Sequence, residues 1–392
     1  MWISRLVLTD FRNHARLSLS LDRRPVVLAG PNGAGKTNVL EAVSLLAAGQ
    51  GLRRAAYADL SRQQGNGGWA VAATVETEVG PVEVGTGLDP SKPESARAGR
   101  IVRINGEPQG GSGALAGLVE MAWLLPAMDG LFTGPAGDRR RFLDRLVLGF
   151  DAGHATRSGQ FERAMRQRNR LLEDGVRDPS RFAGLERIMA ETGVAIAAAR
   201  VATVNGIVGV VGARRERDPD AAFPWASLAL VGTLEQALAN GAAVDVEDHY
   251  LALLASGRER DRMAGRTLEG PHRSDLIVGH GPKSMPAHAS STGEQKALLI
   301  GLVLAHAELL AERRSGAAPI LLLDEIAAHL DSRRRAGLFS ELLRLGSQAW
   351  LTGTDRQPFE AILNDAQFIP VAENGVGSAA GLPHLADGRV TT

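Results

Sequence analysis

The sequence predicts an α/β fold in which a mixed sheet with flanking helices carries a phosphate-binding loop, and a compact helical lobe is inserted into that unit. Three observations lead there. Gly30-Pro31-Asn32-Gly33-Ala34-Gly35-Lys36-Thr37 lies between a strand-like run at 25–29 and a helix-like run at 38–43. A continuous apolar run at 319–323 ends in Asp324-Glu325. Between the two, apolar residues recur at helical spacing over a long stretch that begins near residue 139.

The first element is a phosphate nest. Its glycines let the backbone curl until several N–H groups point inward, and the helix that follows adds its positive end, so a polyanionic phosphate chain is held mainly by backbone. Gly30, Pro31, Asn32, Gly33, Ala34 and Gly35 form that cradle, with Asn38 just beyond it. Lys36 is placed to reach the β- and γ-phosphates of ATP, and the Thr37 hydroxyl to ligate Mg²⁺. The second element, at 319–325, reads as a buried parallel strand that delivers carboxylates to its C-terminal edge. Asp324 is expected to hold Mg²⁺, and Glu325 to polarise an attacking water as general base. Taken alone, such a strand end also fits an ordinary start of a helix.

The third element is Ser290-Ser291-Thr292-Gly293-Glu294-Gln295-Lys296 before an apolar helical run at 297–310. Read locally, it is a polar helix N-cap with Glu294 in the first turn. It also resembles the signature motif of ATP-binding-cassette ATPases, and the order of loop, signature, acidic strand and His329-Leu330-Asp331 is theirs. The resemblance implies an ATP-binding-cassette lobe. It further implies that Ser291, Thr292, Gly293 and Glu294 of one subunit close over the γ-phosphate held by another, so that ATP joins a homodimer.

Within that superfamily the chain resembles the RecF, RecN and SMC group, and RecF most closely. The stretches that carry this are 8–14 (Leu-Thr-Asp-Phe-Arg-Asn-His), 134–145 (Gly-Pro-Ala-Gly-Asp-Arg-Arg-Arg-Phe-Leu-Asp-Arg), 270–276 (Gly-Pro-His-Arg-Ser-Asp-Leu) and 291–296. Lys36 and Ser291 stand 255 positions apart, too far for a transporter ATPase and too close for the coiled coils of SMC proteins. By resemblance, Arg12 and Asn13 line the nucleotide. The same resemblance implies a weak DNA-stimulated ATPase that dimerises on duplex DNA or on gapped, single-strand/double-strand junction DNA, in recombinational repair, replication restart and the SOS response, with RecR and RecO as partners. Thr352-Gly353-Thr354-Asp355 stands in place of the transporters' switch histidine, with Thr354 as candidate phosphate sensor. Two other readings stay open: an ATP-gated scaffold with negligible turnover, and a transporter-type ATPase subunit.

Length and composition set bounds. A chain of 392 residues with 44% hydrophobic residues can build a sizeable core in two lobes. The lobes are expected at 1–138 and 266–371 for the ATPase unit and 139–265 for the helical arm, with a loose tail at 372–392. With no cysteine, disulfides and thiolate metal sites are excluded. The absence of a long unbroken apolar run and of a leader ahead of the loop predicts a cytoplasmic protein without a membrane partner. The 44 basic and 44 acidic residues cancel, so any field that attracts DNA must be local. A candidate patch is Arg139, Arg140, Arg141, Arg145, Arg157, Arg163, Arg166, Arg168 and Arg170, although intrahelical pairs such as Glu162 with Arg166 explain part of it.

Overall fold

The computed structural model describes residues 1–91, 99–314, 316–327 and 330–372, and the backbone of 375–376. His329, residues 92–98 of the turn or loop expected at 90–99, and nearly all of the C-terminal tail lie outside the described residues.

A six-stranded sheet, parallel in all but one edge strand, forms the base of the site. It contains β3 (Val26–Ala29), β8 (Met121–Leu124), β12 (Ile320–Leu323), β13 (Ala349–Gly353) and β14 (Gln367–Ala372), with the short antiparallel β15 (Gly375–Val376) on its edge, in the order β15-β14-β3-β13-β12-β8. Both of its faces are covered, as side-chain alternation requires. Val26, Leu28, Ile320, Leu322 and Trp350 point into one core, and Val27, Leu321, Leu323 and Leu351 into the other. Leu322 is fully buried, so Leu322→Ala would cost about 2–5 kcal/mol.

The first core lies between this sheet and a second, antiparallel one in the order β2-β1-β4-β5-β6-β7. Its strands are β1 (Trp2–Phe11), β2 (His14–Ser20), β4 (Trp69–Thr77), β5 (Gly80–Leu88), β6 (Ile101–Ile104) and β7 (Glu107–Gln109). Helix α1 (Lys36–Ser44) adds Val39, Leu40 and Val43 to the same core. The segment 106–113, expected to be a loop, contains β7 because Asn105 (φ 49°) and Gly106 (φ 82°) make a tight hairpin turn.

The second core is helical. It is built on α2 (Ala136–Leu148), α4 (Ser180–Arg217), α8 (Thr292–Arg313) and α9 (Ser332–Leu345), while α3 (His154–Glu173) packs with α4 in a third, smaller core. The shorter α5 (Thr233–Leu238), α6 (Ala243–Ser256) and α7 (Arg258–Met263) complete the inserted lobe. Helix α4 has the length and apolarity to cross a bilayer, but it serves here as a beam packed against α3, α6 and α8. One strand, β9 (Ala226–Val231), interrupts the expected helical stretch. It pairs with β10 (Asp275–His280), which pairs in turn with β11 (Met285–Pro286), so chain from both sides of residue 266 shares a three-stranded sheet.

Candidate nucleotide-binding site

Strand order brings the site together at the carboxyl ends of β3, β13 and β12, the edge where open α/β sheets bind ligands. The loop after β3 needs glycine at two points. A Cβ on Gly30 would lie 2.0 Å from the Val371 carbonyl oxygen, and Gly35 turns the chain into α1 at φ 100°, with the Asn13 amide where a Cβ would sit. Pro31, Asn32 and Gly33 are exposed at the tip, and Ala34 is buried beneath them.

Lys36 folds back over the loop, donating to the Gly30 and Pro31 carbonyls at 2.7 and 2.9 Å. Burial lowers its pKa, and the charges of Glu325 and Asp324 counter that shift. The Thr37 hydroxyl donates to Asp324 Oδ1 and Oδ2 at 3.0 and 3.1 Å, across 287 positions of sequence. Burial raises the Asp324 pKa. A hydroxyl and a carboxylate already in contact form the kind of all-oxygen pair that holds Mg²⁺ alongside substrate phosphates. Among the described residues no cluster of three or more His, Asp or Glu competes as a metal site.

One residue that the sequence did not single out completes the geometry. Thr352, at the end of β13 between the loop strand and the acidic strand, is buried and donates to Asp324 Oδ1 at 2.8 Å. Its hydroxyl also accepts the Glu325 backbone N–H at 2.7 Å. Glu325 has φ 52°, a left-handed conformation that costs a non-glycine residue about 1–2 kcal/mol. The Thr352 bond thus holds the backbone that aims Glu325. Thr354, the expected sensor, is exposed and bonds to its neighbour Asp355.

Arg12 and Asn13 sit in the β1–β2 turn against the loop. Asn13 donates to the Ala34 carbonyl at 3.2 Å and accepts from the Asn38 amide at 2.8 Å. Arg12 makes a two-pronged contact with the buried Glu41 at 2.9 and 3.0 Å. Arg12, Asn13 and Asn38 share a cavity of about 480 Å³ with the 59–64 segment, including Asp59 and Arg62, which sequence reasoning passed over.

Comparison with known proteins agrees with this architecture. The model of the RecF/RecN/SMC N-terminal domain matches residues 2–368. The DNA replication and repair protein RecF of Mesorhizobium japonicum is 55% identical over 96% of this chain and 97% of its own, and that of Brucella suis is 53% identical over 94% of each. The chain belongs to the RecF family. A solved structure of the recombination mediator protein RecF with ATPrS matches with a TM-score of 0.81 at 19% identity, covering 96% of this chain and 97% of that one. An Smc head domain of Pyrococcus furiosus matches at 0.52 and 15%, covering 96% and 95%. At these identities the likeness is one of fold.

In this RecF-family chain the signature residues sit apart from the loop. Ser291 caps α8: its side chain accepts the Glu294 N–H at 3.4 Å, and the Glu294 carboxylate accepts the Ser291 N–H at 3.1 Å. Glu294 is also paired with Lys283, which holds its pKa down to about 2. Ser291, Thr292 and Gly293 are exposed. Among the described residues, no hydrogen bond or ion pair joins 291–294 to 30–38. Of the arginines expected to face DNA, Arg168 does not: it is fully buried, paired with Glu186 at 3.1 Å and Asp261 at 2.7 Å, because its helix face packs into the inserted lobe. Arg139 is occupied by Asp275 at 2.8 Å, whereas Arg163, Arg166 and Arg170 are exposed.

Proposed function

We propose that this chain is an ATP-dependent DNA-binding protein of DNA replication and repair, in which ATP closes two copies head to tail on DNA and slow hydrolysis reopens them. The observation that carries the reading is the contact of Thr37 with Asp324, which joins the phosphate loop to the acidic strand. Support also comes from RecF relatives named for DNA replication and repair, and from the exposed 291–293 segment, which has no partner within its own chain's loop.

The backbone of Gly30 to Gly35 would bind the phosphates, and Lys36 would leave its carbonyl partners for the β- and γ-oxygens. Mg²⁺, held by Thr37 and Asp324, would offset charge on those oxygens. Glu325, fixed by Thr352, would orient and deprotonate the attacking water. Ser291 and Gly293 of the partner copy would donate to the γ-phosphate, and closure would exclude water. Opposite faces of the pair would present the helical arms, drawn at 139–265, to duplex or to gapped, single-strand/double-strand junction DNA. Work in recombinational repair and the SOS response, with RecO and RecR as partners and in the cytoplasm, completes the reading.

Steady-state ATP hydrolysis without DNA and with single-stranded, duplex and gapped DNA, over a range of protein concentrations and with Lys36→Arg as blank, tests it. Stimulation by duplex or gapped DNA that rises more than linearly with protein is expected. A slow rate, linear in protein and indifferent to every DNA, would leave only an ATP-gated scaffold.

A further inference from the structure

Apart from the nucleotide loop, the described residues enclose a second cavity, of about 550 Å³, between the 48–54 segment that follows α1, strand β8 and helices α2, α3 and α4. None of residues 30–38 lines it. Its walls carry uncompensated positive charge. Arg54 is exposed and, among the described residues, makes no hydrogen bond or ion pair. Arg140 donates to the Ser274 carbonyl at 2.7 Å but has no carboxylate partner. Arg145 lies 3.8 Å from the centre of the Trp123 ring and also lacks a carboxylate. Two acids line the same cavity: Asp144 is already bound by Arg200 at 2.8 Å and His154 at 2.9 Å, and Glu162 pairs with Arg166 at 3.5 Å.

The walls also hold donors left without partners. Arg145 Nη1 and Trp123 Nε1 are buried donors with no hydrogen-bond partner among the described residues, and both residues line this cavity. Buried polar groups are nearly always satisfied, and these two lie in the wall of one cavity. Burial, and then the charge of Arg54, pull the Arg145 guanidinium down to about 9. A chain that keeps an unpaired buried arginine beside a second one bears a standing cost, which an oxyanion would remove.

We infer that this cavity is a binding site for a phosphate group, held by Arg54, Arg140 and Arg145. Arginine forks match phosphate oxygens. The phosphate is either that of a DNA backbone or a free anion; the chemistry is shared, and the experiment separates the two sources.

The test reads emission from Trp123, one of five tryptophans, isolated by subtracting a Trp123→Phe variant. It is done in a Lys36→Ala background, which disables the nucleotide loop and keeps the result separate from the ATPase reading. Inorganic phosphate and a short DNA duplex are the probes, with chloride at matched ionic strength as reference. A saturable change with either probe is expected, weakened about fivefold or more by Arg54→Gln and by Arg145→Gln. A response to phosphate alone assigns the site to a free anion, and a response to duplex assigns it to the DNA backbone; both uphold the site. Arg54 is exposed and unpaired, so Arg54→Gln decides the matter even where Arg145→Gln fails to fold. No saturable change with either probe, or a change that Arg54→Gln leaves untouched, overturns the inference.

Discussion

The phosphate loop and the start of α8 both lead into helix N-termini, yet they are finished in opposite ways. At the loop, the groups suited to ligand are parked on makeshift partners: Lys36 on two carbonyls and Thr37 on Asp324. At α8, Ser291 and Glu294 satisfy each other in a closed capping box. The first end is poised to exchange its bonds for a ligand's. The second is a stable surface, able to keep its helix capped while presenting Thr292 and Gly293 outward. An end that is complete without ligand acts best on a ligand brought by another molecule.

The largest effect expected is at the loop end. Glu325→Gln removes the proposed base but leaves Thr37, Asp324 and the loop in place, so turnover should fall about 10²–10⁴-fold while ATP binding persists. Single-turnover hydrolysis alongside equilibrium ATP binding checks this. Retention of the parent rate would remove Glu325 from the base role.

At the other end, acid should weaken the packing of α8. His306, fully buried in that helix, uses Nε2 toward the Leu146 carbonyl of α2 at 2.9 Å, while its Nδ1 has no partner. Burial holds its pKa down, to about 4 against a usual 6.5. A depressed pKa means that the contribution is complete above 6.5 and is lost as pH falls through that value toward about 4. Denaturant unfolding at pH 7 and pH 4 should show a loss of at most about 3 kcal/mol that His306→Gln does not share. Equal acid losses in both proteins would assign the effect elsewhere.

A third variant probes how the loop end is held. Thr352→Val keeps shape but leaves the Glu325 N–H without its partner and removes one of the two donors to Asp324 Oδ1. It should cost about 1–3 kcal/mol of stability and lower turnover, whereas Thr354→Ala should change little. Thermal unfolding with hydrolysis rates on both variants makes the comparison.

Thr352 also shows where the sequence stops being legible. The loop could be read because its chemistry dictates residue type at fixed spacing: no side chain fits at Gly30, and Lys36 and Thr37 serve the phosphates and the metal. Asp324 and Glu325 were legible because an apolar strand ending in two carboxylates accompanies that loop. A lone threonine in a strand carries no such pattern. Its role follows from β13 lying between β3 and β12, an order set by tertiary pairing. Arg168 failed for a related reason. It looked like one cation in a basic run, but its partners lie 18 and 93 positions away, and burial inverts its meaning. The β6–β7 hairpin is different: Asn105-Gly106 is a strong turn signal that stood in the sequence and was overlooked.

The smallest effect discriminates most sharply between the two ends. Ser291→Ala should cost about 1 kcal/mol of stability through the lost cap, whatever the function. If α8 only caps itself, activity follows that loss and nothing more. If it serves a partner's loop, Ser291→Ala and Lys36→Ala should each silence both sites of a symmetric pair, because each site draws Lys36 from one copy and Ser291 from the other. Mixing the two inactive variants in equal amounts makes half of the pairs mixed. Each mixed pair has one site with both lesions and one site with neither, so hydrolysis should recover to about a quarter of the parent rate. Recovery can arise only when the two ends act across copies, and a mixture as inactive as its components would confine both ends to separate tasks in one chain.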